Sequence, residues 1–377
     1  MRIEYIVYLY LAVCLAMIFF NIATVFVLRV QARLENWLQR RFLCEIRREV
    51  EQARRAGESS RAHRRSLLRR LRSSEALLTY IAAARTVWGE DPAGLRLYMR
   101  SLPDVFVRLD PWYERRNDPI RRSFFLYVLS EYGTYCGTTY PRLAEAMLRA
   151  VRAPSVYCRE NALAALCAAG IPQYVVTALQ ILDGERIAHS GKLITDGLLR
   201  FAGDRAALSD CLWAAYDGFS LRMKEAVLNF MRFDSGQHGS RMLAILCDED
   251  GNDELRYSAV RYFGRYPDPR AYPVQLRLAS PGTPRWEYAS IASGALAAYP
   301  GEETIRVLKD NLRVANWYVR LNAAESLERL GVEYGELVDV LNGNDRYARE
   351  ILAYELDLRR RGVSGPAPRG SGRSGAG

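Results

Sequence analysis

The chain has 377 residues, a formal net charge of +10 and an isoelectric point of about 9.3. The basic excess is local, because residues 29–72 hold 14 Arg against five Glu, whereas residues 73–361 hold 36 basic and 37 acidic side chains. This near-neutral main part excludes a general electrostatic attraction to phosphate backbones, so nucleic acid is not expected as a partner.

The first element is an uncharged segment of 24 residues, from Tyr5 to Leu28. A helix of roughly 20 apolar residues is long enough to cross a bilayer, so this segment predicts a transmembrane helix. A cleaved signal peptide has a shorter apolar core, a basic start and a small-residue cleavage site. Here Glu4 offsets Arg2 and no clear cleavage triplet follows, so residues 1–28 are interpreted as an N-terminal segment with a membrane anchor.

Charge predicts the orientation of this anchor. Basic residues next to a transmembrane helix stay on the cytoplasmic side. We therefore expect a single-pass protein of the cell membrane, with its N-terminus outside and the rest of the chain in the cytoplasm. The adjacent arginines either contact anionic lipid head groups or only set the topology and solvate a helix. The candidate lipid contacts are Arg29, Arg33, Arg40, Arg41, Arg47 and Arg48.

Residues 29–72 are predicted to form a basic juxtamembrane helical stalk, because apolar residues keep helical spacing from Val30 to Val50. The sequence GESS at Gly57–Ser60 predicts a break, and a single second helix is expected to carry the apolar residues from Leu67 to Ile81. Residues 73–114 look helical but lack the register of the chain that follows. We interpret them as a capping region for the first repeat layer.

Residues 115–361 contain an internal repeat. The segment from Trp317 to Gly331 aligns without gaps on the segment from Trp286 to Pro300, 31 residues earlier. In the clear copies, an anchor residue is followed by a small residue three places on and by an apolar residue seven places on. Most steps between anchors are 31 to 33 residues, and the anchors are Arg122, Arg159, Gly191, Met223, Arg256, Ala289, Arg320 and Arg349.

A period of this length is typical of a solenoid, because one unit cannot bury its apolar face alone and its neighbours complete the core. No run of alternating β-branched residues supports a sheet. The predicted fold class is therefore all-α: an N-terminal transmembrane helix and a helical stalk, followed by an α-solenoid of helical hairpins. Residues 362–377 contain Gly, Ser, Pro and Arg without large apolar residues, and they are predicted to be a disordered tail.

Two blocks of the repeat, Val156–Gly170 and Trp317–Gly331, resemble the second helix of HEAT-like repeats. Both contain an Arg followed two places on by an Asn (Arg159 and Asn161, Arg320 and Asn322). The resemblance covers about residues 115–361 and implies a binding scaffold rather than a particular partner. The unit is shorter than is usual in the family, and some copies replace the anchor arginine, so armadillo or other helical-hairpin repeats stay open.

The anchor arginines are candidates for a ladder that binds an acidic partner. Such residues more often bond to carbonyls or acids of adjacent layers, and we favour this structural role. Exposed Trp, Tyr and Arg are enriched in interface hot spots, although Trp286 and Trp317 share one repeat slot, which favours packing. The candidate partner-binding residues are Arg159, Arg256, Trp286, Tyr288, Trp317, Tyr318, Arg320 and Arg349.

No local motif indicates catalysis, a metal or a cofactor. The seven cysteines form no C-x-x-C pair, and the three histidines are far apart. The acidic stretch Asp248–Glu254 does not fit a calcium loop, because Asp253 stands at the glycine position and Ala259 at the position of the bidentate glutamate. We interpret this stretch as a loop whose acids favour the start of the next helix.

The sequence thus predicts a non-enzymatic membrane-anchored scaffold whose solenoid binds a protein partner at the membrane. The layout is similar to that of bacterial HEAT proteins, which implies an envelope polysaccharide (glycosyltransferase) complex as a partner. Two alternatives stay open. HEAT-like repeats also resemble those of phycobilin lyases, which implies an enzyme or cofactor chaperone, and a nucleic-acid-binding solenoid is the other alternative.

Overall fold

The computed structural model describes residues 3–115, 118–185 and 189–360. These residues are mainly helical and contain no β-strand, which confirms the all-α class. The tail predicted to be disordered, residues 362–377, lies outside the described residues.

The helices follow one another with short connections. Short 3₁₀ turns lie at Tyr216–Gly218 and Gly236–His238. The α-helices are α1 (Ile3–Ala56), α2 (Arg61–Arg70), α3 (Ser74–Glu90), α4 (Pro92–Arg100), α5 (Pro103–Glu114), α6 (Pro119–Cys136), α7 (Pro141–Val151), α8 (Val156–Ala169), α9 (Pro172–Gly184), α10 (Gly191–Leu199), α11 (Arg205–Ala215), α12 (Leu221–Asp234), α13 (Gly239–Cys247), α14 (Asp253–Phe263), α15 (Tyr272–Ala279), α16 (Trp286–Leu296), α17 (Glu302–Asn311), α18 (Trp317–Arg329), α19 (Tyr334–Leu341) and α20 (Arg346–Arg360).

Helix α1 runs without interruption through the apolar segment and into the basic segment, as the spacing of apolar residues predicts. From Tyr10 onwards it contains an 18-residue window with a mean hydropathy of 2.6, none of which is buried. By length and composition this helix is able to cross a membrane. It ends at Ala56, where Gly57 takes a positive φ of 78°, and the break predicted at Gly57–Ser60 is present.

The last third of α1 packs against α3 and α4, a contact that the stalk interpretation does not include. Phe42 and Ile46 are fully buried, and Val50 and Ala53 are buried one and two turns further on. Buried Glu49 accepts hydrogen bonds from the backbone N and the Oγ of Ser60, at 2.8 and 3.0 Å. The basic segment is therefore free of the protein body only from Arg29 to Arg41.

The prediction of one helix from Leu67 to Ile81 is wrong, because two helices cover this region. Helix α2 ends at Arg70 and α3 begins at Ser74. The Oγ of Ser73 accepts the backbone N–H of Ala76 at 3.4 Å, so Ser73 acts as the N-cap of a new helix. Both helices bury apolar side chains, which explains why the hydrophobic spacing looks continuous across the break.

The chain divides into two compact units: unit 1 is Met1–Leu193 with Arg200–Asp217, and unit 2 is Ile194–Leu199 with Gly218–Gly377. In unit 1, α6 packs on α8, and the first helices of the hairpins follow in the order α5, α7, α9 and α11. In unit 2, α12, α14, α16, α18 and α20 pack in succession, and α15 packs on α17. Each unit is thus a stack of helical hairpins.

The repeat register of the sequence is the register of these hairpins. Six of the eight anchors are the fourth residue of the second helix of a hairpin, in α6, α8, α14, α16, α18 and α20. Met223 is the third residue of α12 and Gly191 is the first residue of α10. The small residues three places after the clear anchors are buried, as Ala162 and Ala323 show. A small side chain there lets neighbouring second helices approach closely.

Candidate partner-binding surface

The anchor arginines satisfy backbone carbonyls inside their own hairpins. Arg159 is only 6% exposed, and its Nη1 donates to the carbonyl oxygens of Ala153 and Pro154 at 2.9 and 2.7 Å. Arg349 likewise donates from Nη1 to the carbonyl oxygen of Gly343 at 2.7 Å. These carbonyls follow the first helix of each hairpin, where a cation is favourable because it offsets the negative end of the helix dipole.

Arg320 and Arg256 act in the same way and add side-chain partners. Arg320 donates from Nε to the carbonyl oxygen of Val314 and from Nη1 to Asp345 Oδ1, the latter at 3.1 Å. Arg256 donates to the carbonyl oxygen of Leu246 at 3.4 Å and to the hydroxyl of Tyr288 at 3.2 Å. Both arginines are less than a tenth exposed. The structure therefore places the ladder in structural positions rather than on an open surface.

The four candidate aromatic residues fall into two groups. Trp286, Trp317 and Tyr318 are 44%, 58% and 56% exposed, whereas Tyr288 is only 4% exposed. The Tyr288 hydroxyl donates to Asp253 Oδ1 at 2.7 Å, and burial raises the pKa of this hydroxyl. Tyr288 thus belongs to the interior of its hairpin, and the other three form a surface.

These exposed rings contact one another across two layers. Trp286 and Tyr318 stack with ring centroids 5.7 Å apart and an interplanar angle of 20°. Trp317 meets Tyr318 edge-on at 5.3 Å. Tyr347 in the next layer is 69% exposed, and its ring centroid lies 5.6 Å from the guanidinium carbon of Arg320. We call Trp286, Trp317, Tyr318 and Tyr347 the aromatic strip.

Tyr347 was missed by the search for candidate residues, although the repeat marks its position. It stands two places before the anchor Arg349, as Tyr318 stands two places before Arg320. The same position carries Ile120 and Tyr157 in unit 1, which are 80% and 73% exposed. The exposed position is therefore marked by its place two residues before the anchor, and not by the presence of a tryptophan.

Two ion pairs flank the aromatic strip. Arg320 pairs with Asp345, and the pKa of Asp345 is lowered, first by the N–H of Ala348 and then by Arg320. Arg346 pairs with Glu350 at 2.7 Å. The strip is therefore an apolar, electrically balanced surface, which fits an apolar or aromatic segment of a partner better than a strongly charged one.

A groove between α17 and α19 of unit 2 is strongly charged. Lys309 Nζ lies 2.6 Å from Asp339 Oδ1 and donates to the carbonyl oxygen of Glu336 at 2.7 Å. Arg313 lies 3.5 Å from Asp339, whose pKa is lowered chiefly by the hydrogen bond from Lys309. Because acids and bases neutralise each other across this groove, it shows no preference for a ligand of either sign. Its lining residues are Glu302, Ile305, Arg306, Lys309, Asp310, Arg313, Glu336 and Asp339.

The candidate lipid contacts differ in their surroundings. Arg41, Arg47 and Arg48 each pair with an acid, and Arg47 binds the Glu90 carboxylate at 2.7 Å. Arg29, Arg33 and Arg40 lie on the exposed part of α1. At 1.5 Å per residue, Arg29 and Arg33 lie within about 8 Å of Leu28 along the helix axis, Arg40 about 18 Å away and Arg47 almost 30 Å away. A helix perpendicular to the bilayer brings only the first two near the head groups.

The residues that the structure describes can also be compared with the requirements of a metal centre. No group of three or more His, Cys, Asp or Glu side chains within them is arranged to hold a metal ion. The acidic stretch Asp248–Glu254 forms a loop and a first helical turn, in which Asn252 caps α14 by accepting the N–H of Glu254 at 2.9 Å. Asp253 pairs with Arg285.

Comparison with known proteins agrees with this architecture. Residues 240–357, from α13 to α20, match the family model of HEAT repeats. The chain is a HEAT-like helical repeat protein, as the anchor pattern indicates. Repeats of this kind are generally non-catalytic and are typical of scaffolds for protein interaction.

One solved structure, of human deoxyhypusine hydroxylase in complex with glycerol, aligns with 80% of this chain and 96% of its own chain. The identity is 15% and the TM-score is 0.28, which is too low to carry an argument about either fold or activity. No curated protein sequence matches this chain.

Proposed function

We propose that this protein is a non-enzymatic scaffold, anchored in the cell membrane by α1, whose HEAT-like repeats bind a protein partner through the aromatic strip. The observation that carries the proposal is the set of exposed rings on three successive second helices. Trp286 and Trp317 open α16 and α18, Tyr318 is the second residue of α18, and Tyr347 is the second residue of α20. Trp and Tyr are the residue types most enriched in interface hot spots.

The geometry of the strip favours binding. Trp286, Tyr318 and Trp317 already contact one another and Tyr347 lies against Arg320, so these side chains lose little conformational freedom when a partner covers them. They stand on helices that pack on one another, two of which, α18 and α20, are also held by the anchor arginines Arg320 and Arg349. A rigid apolar platform flanked by paired charges suits a partner segment with aromatic, aliphatic or proline side chains.

The membrane part of the proposal rests on α1. Its apolar window lacks buried residues, and the excess of basic residues lies on one side of it only, because Glu4 offsets Arg2 on the other side. The positive-inside rule then puts the repeats in the cytoplasm and the N-terminus outside. Arg29 and Arg33 are close enough to the span to attract anionic head groups, at about 1 kcal/mol each. The partner is accordingly a membrane-associated protein, for which an envelope polysaccharide synthase complex is the first class to test.

The test places a photo-activatable cross-linking amino acid at Trp317 or Tyr347 in the full-length protein, in its native membrane. We expect the same protein to be cross-linked from both positions. Tyr334 is the matched control, because it is 59% exposed but opens α19, the first helix of its hairpin. The two helices of a hairpin run antiparallel, so Tyr334 lies at the end away from the strip.

The double variant Trp317→Ala and Tyr347→Ala should lose co-purification of the cross-linked protein, while Tyr334→Ala keeps it. Equal cross-linking from Tyr334, or retention of the partner by the double variant, would reject the aromatic strip as the binding surface. Purified protein that carries a chromophore, or a nucleic acid at physiological salt, would support the alternative classes instead.

The orientation needs its own measurement. Tags placed at the two ends of the chain should differ in sensitivity to protease added to intact cells, with the N-terminal tag cleaved and the C-terminal tag protected. The opposite pattern contradicts the proposed topology, and release of the protein from membranes by alkaline extraction contradicts the span.

A further inference from the structure

Two arginines at the ends of neighbouring second helices in unit 2 lie against one aromatic ring. The guanidinium carbon of Arg232, in the last turn of α12, is 4.5 Å from the ring centroid of Phe233. The guanidinium carbon of Arg265, just beyond α14, is 5.4 Å from the same centroid. A guanidinium over a ring uses its flat face, so the N–H groups in its plane stay available for another partner. We call Arg232, Phe233 and Arg265 the arginine site.

Tyr262 fixes the two helix ends relative to each other. It is fully buried, and its hydroxyl donates to the carbonyl oxygen of Ser235, the C-cap of α12, at 3.2 Å. Its own carbonyl oxygen accepts the N–H of Arg265 at 3.0 Å. One buried residue thus connects the backbone next to Arg232 with the backbone of Arg265. The two arginines are therefore presented from fixed positions, which lowers the entropic cost of binding a ligand.

Neither arginine has a counterion in the part of the chain that the structure describes. No hydrogen bond or ion pair joins Arg232 or Arg265 to another described residue, and the Nε of Arg232 is buried without a hydrogen-bond partner. Burial, and then repulsion from Arg261 and Arg265, lower the pKa of Arg232 to about 10. A cation in such surroundings is costly unless it is paired, and an anion bound here would remove that cost.

The acids closest to the arginine site in the sequence face other groups. Asp234 Oδ2 lies 3.6 Å from His238 Nε2, and Asp268 binds Arg270 at 2.7 Å. Neither aspartate is paired with an arginine of the site. The positive charge of the site is therefore not neutralised by these neighbours.

Arg261 in α14 strengthens the positive potential at Arg232. Solvent still reaches its side chain, but the surrounding protein removes enough hydration to lower its pKa, and Glu254 and Glu225 only partly oppose this effect. These two glutamates act on Arg261, whereas no described carboxylate shifts the pKa of Arg232. The unbalanced charge is thus centred on Arg232 and Arg265.

The helix ends alone do not account for the two arginines. A cation at the C-terminus of a helix is weakly stabilised by the helix dipole. The anchor arginines Arg159 and Arg349 use this position by donating directly to carbonyl oxygens after the first helix of a hairpin. Within the described ranges, no carbonyl oxygen receives such a bond from Arg232 or Arg265. Their donors remain for a ligand.

We propose that the arginine site binds the phosphate group of a small soluble compound. A phosphate monoester carries almost two negative charges at neutral pH and three acceptor oxygens, which match two guanidinium groups. One carboxylate would neutralise only one of them. Because Arg232 and Phe233 are half-buried, a small group reaches them more readily than a bilayer surface does. The aromatic strip lies at the N-terminal ends of second helices and the arginine site at the C-terminal ends, so the two are separate.

The experiment measures the binding of radiolabelled inorganic phosphate to the full-length protein in a non-ionic detergent, by equilibrium dialysis at neutral pH and constant ionic strength. We expect saturable binding that Arg232→Gln and Arg265→Gln each weaken about tenfold or more, because each removes a charged donor. Arg306→Gln is the matched control. It removes the same charge from an exposed arginine of unit 2, which pairs with Glu303, and it should bind phosphate like the wild type.

Thermal unfolding separates a ligand site from a structural one. Without phosphate, Arg265→Gln should unfold at the same temperature as the wild type or at a higher one, because a like charge near Arg232 has been removed. With saturating phosphate, the wild type and Arg306→Gln should gain several degrees, whereas Arg265→Gln should gain almost nothing. A large loss of stability of Arg265→Gln without phosphate would assign this residue a structural role and overturn the inference.

A phospholipid head group is a second source of the same chemical group. Short-chain phosphatidic acid, added to the same detergent micelles, tests this source. If Arg265→Gln weakens the binding of this lipid while dissolved phosphate does not bind, the inference is overturned in favour of a lipid site. Phosphate binding that is equal in the wild type and both arginine variants, or absent from all of them, also overturns it.

Discussion

The side-chain amide of Asn322 in α18 binds Ser290 in α16, donating to its carbonyl oxygen at 3.0 Å and to its hydroxyl at 2.7 Å. Unit 1 contains the same link, because Asn161 donates to the carbonyl oxygen and the hydroxyl of Ser123, both at 2.9 Å. In both cases the Asn stands two places after an anchor, and the Ser one place after the preceding anchor. Neighbouring second helices are therefore held in register by a polar clamp as well as by apolar packing.

Removing this clamp should loosen the contact between α16 and α18. We expect Asn322→Ala to lower the free energy of unfolding by about 1 kcal/mol, because it leaves the oxygens of buried Ser290 without their donor. Hydrogen exchange of the α16 and α18 amides in the full-length protein measures the effect. Asn344→Ala, at an exposed position before α20, is the control and should leave exchange unchanged. Equal exchange in the two variants would contradict a stabilising clamp.

The anchor arginines should be far more sensitive to substitution than surface arginines. Arg159→Met removes two donors from the carbonyls of Ala153 and Pro154, and we expect a loss of about 1 to 3 kcal/mol in unfolding free energy. Arg306→Met is the matched control, since the Arg306 side chain is 70% exposed and its pair with Glu303 spans 3.5 Å. Urea unfolding of both variants in detergent gives the comparison. A loss for Arg306 as large as that for Arg159 would refute the structural role.

A close backbone approach in unit 1 makes Gly203 intolerant of a side chain. A Cβ at Gly203 would overlap the carbonyl oxygen of Gly170 and lie 2.8 Å from its carbonyl carbon. Gly170 itself is the C-cap of α8, with a φ of +72°, so a shift of its carbonyl would disturb the end of that helix. We expect Gly203→Ala to cost about 1 to 3 kcal/mol, by analogy with overpacked cores.

Thermal unfolding of the full-length protein checks this cost. Gly89→Ala is the control, because a Cβ at Gly89 in α3 meets nothing within 4 Å and alanine is the better helix former. Its unfolding temperature should stay the same or rise. A Gly203→Ala variant as stable as the wild type would show that the loop at residues 202–204 shifts to accommodate the methyl group without a loss of stability.

His63 should make unit 1 sensitive to acid. Tyr80 donates to the Tyr98 hydroxyl at 3.1 Å, so the Tyr98 proton is available to His63 Nε2, which lies 2.7 Å from the same hydroxyl. Burial lowers the pKa of His63, an effect that nearby Glu49 only partly opposes. Because the unfolded state, with a pKa of about 6.5, takes up the proton first, stability is complete above that pH and falls as the pH drops through the folded pKa.

The measurement is the free energy of unfolding between pH 7.5 and 5 for the wild type and for His63→Gln. Glutamine keeps an acceptor for Tyr98 but does not titrate, so the variant should lose less stability on acidification than the wild type. Identical pH profiles would show that His63 does not govern the acid sensitivity of unit 1. A profile that rises towards low pH would reverse the assigned sign.

The sequence was sufficient for the features that depend on local periodicity. The step of 31 to 33 residues is the distance along the chain between successive second helices. Most anchors are the fourth residue of such a helix, and the small residues after them lie on its buried face, because each layer of the stack has to pack in the same way. The structural role favoured for Arg159 and Arg320 follows from the same logic. Their partners lie five to seven residues back in the same hairpin, or in the next connection in the case of Asp345.

The hydrophobic periodicity of the sequence does not predict long-range packing. The amphipathic pattern of Phe42, Ile46 and Val50 is the same for a free stalk and for a helix buried against α3 and α4, because spacing defines a face but not what covers it. The aromatic strip was predicted in part for a similar reason. Tyr288 and Tyr318 look equivalent as residue types, yet Tyr288 turns inward to Asp253 while Tyr318 stacks on Trp286 at the surface.

With α1 anchored in the membrane as proposed, its unbroken course couples the body of unit 1 rigidly to the span. A span longer than the local bilayer tilts, and it tilts further as the bilayer becomes thinner. No glycine or proline interrupts α1 before Gly57, and Phe42, Ile46 and Val50 pack the end of α1 against α3 and α4. The body of unit 1 therefore tilts together with the span. Under the proposed anchoring, local bilayer thickness thereby sets the angle between unit 1 and the membrane.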